Sequence, residues 1–487
     1  MGGSRTRKGS HLQPGQAGLS VVRLSQAALG GLATHVARLG YDWQAQACGI
    51  VHFGIGAFHR AHQAAYTDAA MAAGDRDWRI TGVSLRSGDV AAQLDPQDGL
   101  YTLTERSGED ASTRLIGAIG QVIVAPENPS AVIAAIADPG TRIVSFTVTE
   151  KGYVRAADGS LDWSNAALAS DAAGNAASRT IYGYLAAGLA RRRASGLPGL
   201  TLLCCDNLAD NGRQLQRLMT AYLERTEPAL ADWFLRECRC PSTMVDRIVP
   251  AMTDADRDWV AGKIGLVDEG AILTERFTQW VIEDDFAGPR PRWEAVGVQF
   301  VADVSAYEAA KLRMLNGAHS ALAYLGLERG HAFVHQAVAD PVVRPLIEKI
   351  MREEAAATLA PASGIDTFAY ADRLLDRFSN SALQHRLVQI AMDGSQKIPQ
   401  RWLEPLAINQ AAGRMCPATL EALAAWCRHV RGDSRPVDDP RARELADIWK
   451  TKGATGISAA LFGENGQFAA TWVASPSALA FLDQRLA

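Results

Sequence analysis

The chain has 487 residues, of which 48% are hydrophobic and 21% are charged, and its formal net charge is -4. This length exceeds one core of ordinary size, so we predict a soluble globular protein with two large domains. The weakly negative charge does not favour binding to nucleic acid or to a membrane surface, and no apolar run reaches the ~18 residues of a membrane span. Seven cysteines in so long a chain do not predict a disulfide framework, which favours a reducing, cytoplasmic location.

The first residues of the chain are polar and rich in glycine. Residues 1–20 read "MGGSRTRKGSHLQPGQAGLS" and contain no basic-then-apolar signal peptide. We expect this segment to be a disordered leader and leave it out of the fold prediction.

Strand and helix patterns alternate in the first 300 residues. Apolar runs at 49–56, 78–85, 141–149 and 199–207 predict strands. Between the first two runs, the segment 57–74 has the composition of a helix. This order indicates βαβ units and a mostly parallel sheet with helices on its faces.

After about residue 300 the pattern becomes helical and strand signals almost disappear. Apolar residues recur at helical spacing over 304–326, 341–360, 367–379, 381–394 and 419–432. The predicted fold is therefore α/β, with a Rossmann-type N-terminal domain and a mainly α-helical C-terminal domain. We predict that the nucleotide-binding domain covers residues 21–300 and the helical substrate domain residues 301–487.

A glycine turn follows the first predicted strand and opens the first predicted helix. Two glycines permit a tight turn and a close approach of a dinucleotide pyrophosphate to the backbone. His59 occupies the third position of this fingerprint, where Gly or Ala is usual, so an ordinary strand-to-helix turn remains the alternative. The predicted cofactor turn consists of Gly54, Ile55, Gly56, Ala57 and Phe58.

The end of the second predicted strand bears on the choice of cofactor. Asp89 could accept hydrogen bonds from the ribose hydroxyls of the adenosine, which favours NAD. Arg86 stands just before it and could meet a 2′-phosphate, so NADP remains the alternative. Both charges could also be solvated loop residues.

The segment "KLRMLNGAHS" (311–320) carries polar residues on the face of a helix that should be buried. Ser305 and Glu308 have the spacing of a capping box, which predicts that the helix begins there. At about 100° per residue, Glu308, Lys311, Asn316 and His319 fall within an arc of roughly 140°. A lysine on a buried face loses hydration, and this lowers its pKa.

These polar residues have a chemical interpretation and a structural one. A desolvated Lys311 could act as a general base in alcohol oxidation, with Asn316 donating to the substrate oxygen and His319 holding a hydroxyl group. Alternatively, Lys311 extends to solvent and His319 is a hydrogen-bonded core residue. The grouping of all four residues on one face, downstream of a glycine turn, favours catalysis.

Over roughly residues 48–430, the chain resembles the polyol-specific long-chain dehydrogenases, the mannitol dehydrogenase family. The resemblance rests on eight motifs: "GIGAFHRAH" (54–62), "TVTEKGY" (147–153), "CDNLADNG" (205–212), "MVDRIVPA" (244–251), "QWVIEDDF" (279–286), "KLRMLNGAHS" (311–320), "DRFSN" (376–380) and "DGSQKIPQR" (393–401).

The resemblance implies a role for particular residues. It implies a metal-independent enzyme, commonly a monomer, with Lys311 as general base and with Asn207 and Asn316 polarising the oxygen. It implies Asp246 as a ligand of a substrate hydroxyl and Glu308 as part of a proton path. Glu150 is expected beside that path, on the cofactor side.

The expected substrate is a small sugar derivative. Arg377, Lys397 and Arg401 could pair with the carboxylate of a sugar acid, although the last two could also be surface charges. The residues of several motifs resemble those of the branch that converts D-mannonate to D-fructuronate. Gly88 stands where the mannitol branch tends to have an acid, which also favours the mannonate branch.

Other functions stay open from the sequence. Within the family, oxidation of mannitol or D-arabinitol is the alternative. A decarboxylating hydroxyacid dehydrogenase also joins a Rossmann domain to a helical domain with a lysine. A nucleotide-binding protein without catalysis is the alternative outside enzymes.

Overall fold

The computed structural model of the chain describes residues 22–156, 158–174, 177–360, 365–382 and 384–487. The leader that the sequence predicts over residues 1–20 lies outside these residues. Among the helices of the described segments, none is both long and apolar enough to span a membrane.

In the described part of the chain, the strands belong to the first 301 residues and are short. They are β1 (Cys48–Phe53), β2 (Arg79–Ser84), β3 (Tyr101–Ser107), β4 (Asp110–Ile116), β5 (Ile119–Val124), β6 (Ile143–Phe146), β7 (Thr201–Cys204), β8 (Thr243–Asp246), β9 (Ile272–Glu275), β10 (Gln279–Glu283) and β11 (Gln299–Val301).

Five of these strands form a central sheet in which every neighbouring pair is parallel, in the order β5-β2-β1-β6-β7. The chain leaves β1 towards β2 on one side and later returns to β6 on the other. In such sheets, ligands bind at the carboxyl ends of the strands where the direction changes. The gap between the ends of β1 and β6 is therefore the expected ligand position.

Two three-stranded sheets, β11-β10-β8 and β4-β3-β9, complete the N-terminal half. Each contains one antiparallel pair, β10 with β8 and β3 with β4. The sequence analysis did not identify these strands. β8 and β9 are four residues long and buried throughout, so they show no alternation of apolar and polar residues.

The helices of the N-terminal half cover the sheets. They are α1 (Ala57–Ala61), α2 (Gln63–Ala72), α3 (Asp89–Leu94), α4 (Pro129–Ala137), α5 (Ala166–Ala173), α6 (Ile181–Ala194), α7 (Asn211–Thr226), α8 (Pro228–Glu237) and α9 (Asp254–Ile264).

The single helix predicted over 57–74 is broken in two. His62 leaves the helical conformation with φ -114° and ψ -92°. Its imidazole Nε2 lies 2.9 Å from the carbonyl oxygen of Gln279 in β10. This contact with a strand distant in sequence accounts for a break that local spacing does not predict.

The C-terminal half is helical. Its α-helices are α10 (Ser305–Ala310), α11 (Gly317–Glu328), α12 (Val334–Ala339), α13 (Val343–Lys349), α14 (Thr367–Phe378), α15 (Leu387–Ile390), α16 (Gly394–Ile398), α17 (Glu404–Ala411), α18 (Pro417–His429), α19 (Ala442–Lys452), α20 (Ile457–Phe462) and α21 (Pro476–Leu486). Three π-helical segments interrupt them, at Lys311–Asn316, Ile350–Ala355 and Pro399–Leu403.

The predicted helix over 381–394 is mostly wrong. Among the described residues of this range, only Leu387–Ile390 and Gly394, the first residue of α16, are helical. Arg386 forms a bridge with Phe333, and Asp393 has a positive φ of 54°. Both features interrupt a helix whatever the apolar spacing.

The two halves have separate apolar cores. The core of the helical half contains residues between 310 and 486, including Trp402, Trp426 and Phe462. The large cores around the sheets use residues between 24 and 298. On this basis we propose a domain division near residue 300, as the sequence analysis predicts.

Candidate active site

A cavity of about 380 Å³ lies where the carboxyl ends of the strands meet the helical half. Its wall is formed by Glu150, Asp206, Asn207, Leu208, Ala209, Thr243, Met244, Val245, Glu308, Lys311, Leu312, Asn316, Asp393, Gln396, Lys397, Gln400 and Arg401. Glu150 follows β6 and Asn207 follows β7. The cavity therefore lies at the edge of the sheet that the strand order favours for a ligand.

Lys311 and Asn316 stand at the two ends of a π-helical turn between α10 and α11. Hydrogen bonds in a π-turn join residues five apart. Lys311 and Asn316 are therefore neighbours on one face, as residues four apart are in an α-helix. Both side chains line the cavity. The regular helix assumed from the sequence is thus modified, while the shared face of the two residues is retained. Such π-turns are frequent at functional sites.

The Lys311 amine is half-buried and donates hydrogen bonds to two acceptors. It donates to the Asn207 Oδ1 at 2.6 Å and to the Val245 carbonyl oxygen at 2.6 Å. Burial lowers the pKa of this amine from its ordinary value. A neutral amine has two N–H donors, so both are used here and its lone pair is left to accept a proton. This is the state that a general base requires.

Two amide groups can donate to a substrate oxygen beside this amine. The Asn207 Oδ1 is occupied by Lys311, which leaves the amide nitrogen of Asn207 available to the cavity. The Asn316 side chain lines the cavity and has no hydrogen-bond partner among the described residues. Both amides can therefore donate to an oxygen that gains negative charge.

Glu308 lies one turn before Lys311 on the cavity wall. Its carboxylate accepts from the Asp210 backbone N–H at 3.1 and 3.2 Å. Burial raises its pKa to about 7, an effect to which nearby Asp210 and Glu283 contribute. The predicted capping box is wrong: the Ser305 hydroxyl donates to Asp303, and Glu308 is used across the domain interface instead.

His319 lies one turn beyond Asn316 and is 8% exposed. Its ring packs against Phe378 and His385, with centroids 4.6 and 5.3 Å away. Burial holds the pKa of this imidazole well below its usual value, so the ring is neutral. The Nε2 atom is buried and finds no hydrogen-bond partner within the described segments. An unpartnered atom of this kind is an exception among buried polar groups, and His319 is not among the residues that form the cavity wall.

Asp246 and Arg377 bind each other instead of lining the cavity. The Arg377 guanidinium donates to both oxygens of Asp246 at 2.7 and 3.1 Å, and to both oxygens of Glu275 at 2.9 and 2.8 Å. Four of its five N–H groups are thus used. The predicted role of Arg377 as a receptor for a substrate carboxylate does not fit this arrangement. The role of Asp246 as a hydroxyl ligand is likewise not favoured, because Asp246 is not among the residues that form the cavity wall.

Lys397 and Arg401 lie on the cavity wall as the sequence analysis predicts. The Lys397 amine donates to the Met392 carbonyl oxygen at 2.6 Å. Arg401 donates to the Ser320 hydroxyl at 2.8 Å and to the Asn316 carbonyl oxygen at 3.3 Å. Burial lowers the pKa of both groups, that of Arg401 to about 10. Neither is in an ion pair with a carboxylate of the described chain.

The glycine turn borders the same edge of the sheet. Gly54 has φ 93°, and a Cβ there would lie 2.0 Å from the Thr147 carbonyl oxygen. At Gly56 a Cβ would meet only the Gly54 carbonyl oxygen, at 3.9 Å. The first glycine is thus required by the turn itself, while the second keeps an exposed stretch of backbone open. Ala57 and Phe58 begin α1, and Ile55 is buried. These features fit a pyrophosphate group.

Asp89 and Glu150, the two carboxylates predicted to contact the cofactor, are both exposed. Asp89 is exposed at the start of α3, five residues after the end of β2, and accepts from the Ser87 hydroxyl at 2.7 Å. Arg86 is exposed beside it. Glu150 is exposed on the cavity wall, three residues after Thr147, which contacts the glycine turn.

Asp206 is a site residue that the sequence analysis missed. It accepts from the backbone N–H groups of Val148 and Thr149, both at 2.9 Å, and from the Tyr153 hydroxyl at 2.7 Å. It thereby holds the loop that carries Glu150. Its place directly before Asn207 in "CDN" was the signal that could have identified it.

Within the described ranges, no group of three or more His, Cys, Asp or Glu side chains stands ready to hold a metal ion. Each of the seven cysteines is a free thiol.

A parallel sheet with a glycine turn at its centre, joined to a helical half that carries a lysine in the cavity, defines a Rossmann-fold dehydrogenase of secondary alcohols. Comparison with known families agrees. Residues 48–295 match the mannitol dehydrogenase Rossmann domain, and residues 303–469 match the mannitol dehydrogenase C-terminal domain. The chain belongs to the mannitol dehydrogenase family, whose members oxidise secondary alcohols of sugars or polyols.

The similar proteins are named for two different substrates. The chain is 41% identical to the D-mannonate oxidoreductase of Escherichia coli, over 89% of this chain and 91% of that protein. It is also 41% identical to the mannitol 2-dehydrogenase of Phaeosphaeria nodorum, over 82% of this chain and 72% of that protein. The solved ternary complex of Pseudomonas fluorescens mannitol 2-dehydrogenase with NAD and D-mannitol has a TM-score of 0.81 at 36% identity, covering 96% of both chains.

Proposed function

We propose that the protein is an NAD-dependent dehydrogenase of a sugar acid and that it interconverts D-mannonate and D-fructuronate. The observation that carries this proposal is the pair of cavity cations, Lys397 and Arg401, which have no carboxylate partner among the described residues. A carboxylate supplied by the substrate would give both groups a charge-assisted hydrogen bond. The identity to a D-mannonate oxidoreductase over most of both chains supports the same substrate.

The chemistry assigned to the chain is proton transfer and charge stabilisation. Lys311 accepts the proton of the substrate hydroxyl with its free lone pair, while Asn207 and Asn316 donate to the oxygen that becomes a carbonyl. Glu308, with a pKa of about 7, relays the proton between Lys311 and solvent. His319 holds a second hydroxyl through its unpartnered Nε2. When bound, NAD supplies the acceptor for the hydride.

For the cofactor, we infer NAD over NADP. The exposed carboxylate of Asp89 after β2 is suited to ribose hydroxyls and would repel a 2′-phosphate. The neighbouring Arg86 is exposed as well, so NADP is the alternative that an experiment must include. We also infer a cytoplasmic monomer, an inference that the free thiols support for the location only.

Oxidation of a polyol is the second candidate function. A specific observation favours it: the likeness, at 36% identity, to a solved mannitol 2-dehydrogenase in complex with NAD and D-mannitol. A polyol has no carboxylate, so it would offer Lys397 and Arg401 no ion pair. The two candidates therefore differ in what they require of these cations.

A substrate panel and one variant test the proposal. Wild-type protein is assayed with D-mannonate, D-mannitol and D-arabinitol, each with NAD and with NADP. We expect the highest kcat/KM for D-mannonate with NAD. In Arg401→Gln the KM for D-mannonate should rise ~10- to 100-fold, since a hydrogen bond to a charged group contributes about 1.5–3 kcal/mol.

The exposed Arg431, which pairs with Asp433, provides the matched control Arg431→Gln, and its KM should equal that of the wild type. Efficient oxidation of D-mannitol by the wild type, with D-mannonate left unchanged, would establish the polyol function instead.

A further inference from the structure

The Val245 carbonyl that receives the Lys311 amine lies at the open edge of a sheet. β8 is the outer strand in the order β11-β10-β8, so one of its edges faces no strand. On it the Thr243 carbonyl oxygen accepts from the Asn211 amide at 2.9 Å, and the Val245 carbonyl oxygen accepts from Lys311 at 2.6 Å. Residues two apart in a strand direct their carbonyls to the same edge. The position of the Lys311 amine therefore depends on how the end of β8 is held.

The end of β8 is held from the other domain. Asp246, the last residue of β8, accepts two hydrogen bonds from Arg377 of α14, and Glu275 at the end of β9 accepts two more. The side chains of Arg377, Asp246 and Glu275 are 5%, 6% and 3% exposed. The Phe277 ring covers the guanidinium, with its centroid 3.9 Å from Cζ.

The charges of this buried cluster depend on one another. Two carboxylates share one guanidinium away from water, and removing the cation would leave both negative charges buried without a partner. Glu275 also accepts from the Ile248 backbone N–H at 2.7 Å. The segment after β8 is thus tied to β9 by the same carboxylate that Arg377 binds. Arg377 is the member of the cluster contributed by the helical half.

We propose that Arg377 is a positioning residue for the reaction: it holds Asp246 and Glu275 together across the domain interface and so keeps the Val245 carbonyl where it receives the Lys311 amine. The inference rests on the proposed role of Lys311 as the base. Arg377 acts through Val245 and does not need to touch the substrate.

The charges around Lys311 make the pKa of its amine a measure of this role. Five charged or titratable groups face Lys311, each from a different element. They are Asp246 of β8, His62 at the break before α2, Glu308 of α10, Arg377 of α14 and Arg401 of the π-helical segment before α17. Asp246 raises the pKa of Lys311 and Arg377 lowers it. Loss of the Arg377 charge must therefore raise this pKa, whereas loss of the Asp246 charge must lower it.

The pKa of Lys311 can be measured without substrate in Arg377→Met, Asp246→Asn and wild-type protein. Trace acetylation with acetic anhydride across a pH series, followed by peptide mass spectrometry, reports the fraction of neutral Lys311 amine. We expect the midpoint to rise by about one pH unit in Arg377→Met and to fall in Asp246→Asn. Because the amine also loses its position, kcat/KM of Arg377→Met should fall ~10- to 100-fold on whichever sugar derivative the wild type oxidises.

Arg373→Met is the matched control, since Arg373 is exposed on the same helix and should leave both measurements at wild-type values. A folded Arg377→Met protein with the wild-type midpoint and kcat/KM would overturn the proposal. If Arg377→Met does not fold, Asp246→Asn decides, and an unchanged midpoint there also overturns it. A wild type inactive on every sugar derivative would contradict the proposed function alone, because the midpoints would still decide the inference.

Discussion

At the scale of single residues, the role proposed for Lys311 as a base depends on two neighbours. The amide oxygen of Asn207 and the carbonyl oxygen of Val245 take two of its hydrogens, and burial disfavours the third because a charged amine loses hydration there. Neither neighbour is close to Lys311 in sequence. The same lysine on an exposed helix would remain protonated near neutral pH.

The pH dependence of turnover follows from this state. Only the neutral amine accepts a proton, so kcat/KM for alcohol oxidation should rise with pH through the lowered pKa of Lys311 and then level off. Carbonyl reduction needs the protonated amine and should fall over the same range. In Lys311→Met, kcat should drop by ~10²- to 10⁴-fold, the usual contribution of a general base. Lys450→Met, at an exposed lysine paired with Asp447, should match the wild type, and a Lys311→Met enzyme with normal kcat would remove Lys311 from the mechanism.

At the scale of elements, two short irregular segments shape the site. The π-turn Lys311–Asn316 aligns its first and last residues on the cavity wall. The turn between β1 and α1 closes on the end of β6, where the Thr147 hydroxyl donates to the Gly54 carbonyl oxygen at 2.6 Å. Neither segment is a regular helix or strand. The first lines the cavity, and the second is the predicted cofactor turn.

The two glycines of the β1–α1 turn should respond differently to alanine. Gly54→Ala places a Cβ 2.0 Å from the Thr147 carbonyl oxygen at a positive φ, so it should cost more than about 2 kcal/mol and lower Tm by ~4 °C or more. Gly56→Ala meets open space, so Tm should stay within ~1 °C of the wild type while NAD binding weakens by about tenfold or more, because a Cβ obstructs the pyrophosphate. Thermal scanning and calorimetric titration with NAD measure the two effects. Unchanged NAD affinity in Gly56→Ala would exclude this turn as the cofactor site.

At the scale of the whole molecule, the candidate active site lies at the domain interface. Lys311 and Glu308 from the helical half bind Val245 and the Asp210 backbone of the sheet half. Asn380 adds a further link, donating to the Arg106 carbonyl oxygen at 3.1 Å. Groups that serve catalysis therefore also affect the stability of the domain contact.

Glu308 illustrates this double effect. Its pKa of about 7 in the folded protein exceeds the usual value, so the folded state keeps a proton that the unfolded chain releases. Stability is then greatest below the unfolded pKa and decreases as pH rises from about 4.5 to about 7. We expect Glu308→Gln to raise Tm by ~1 to 3 °C at pH 8, allowing for solvent screening, and to leave Tm unchanged at pH 4. Glu464→Gln, at an exposed glutamate, is the control, and equal Tm values for Glu308→Gln and wild type at pH 8 would contradict the assigned pKa.

The sequence by itself determined the features that depend on local spacing. The glycine turn, four of the five central strands and the arc that contains Lys311 and Asn316 follow from periodicity and backbone freedom. The sequence did not predict the fifth central strand, β5. The motif resemblance likewise identified Asn207, Lys397 and Arg401, all of which line the cavity.

Only the tertiary structure decided which polar groups bind one another across the domain interface. Arg377 looked like a receptor for a substrate carboxylate because its charge was visible in the sequence and its partners were not. Those partners, Asp246 and Glu275, lie 131 and 102 residues away. The break at His62 also comes from a partner distant in sequence. Local spacing carries no information about the group that a folded domain brings against a side chain, and that group determines whether a charge is free to bind a ligand.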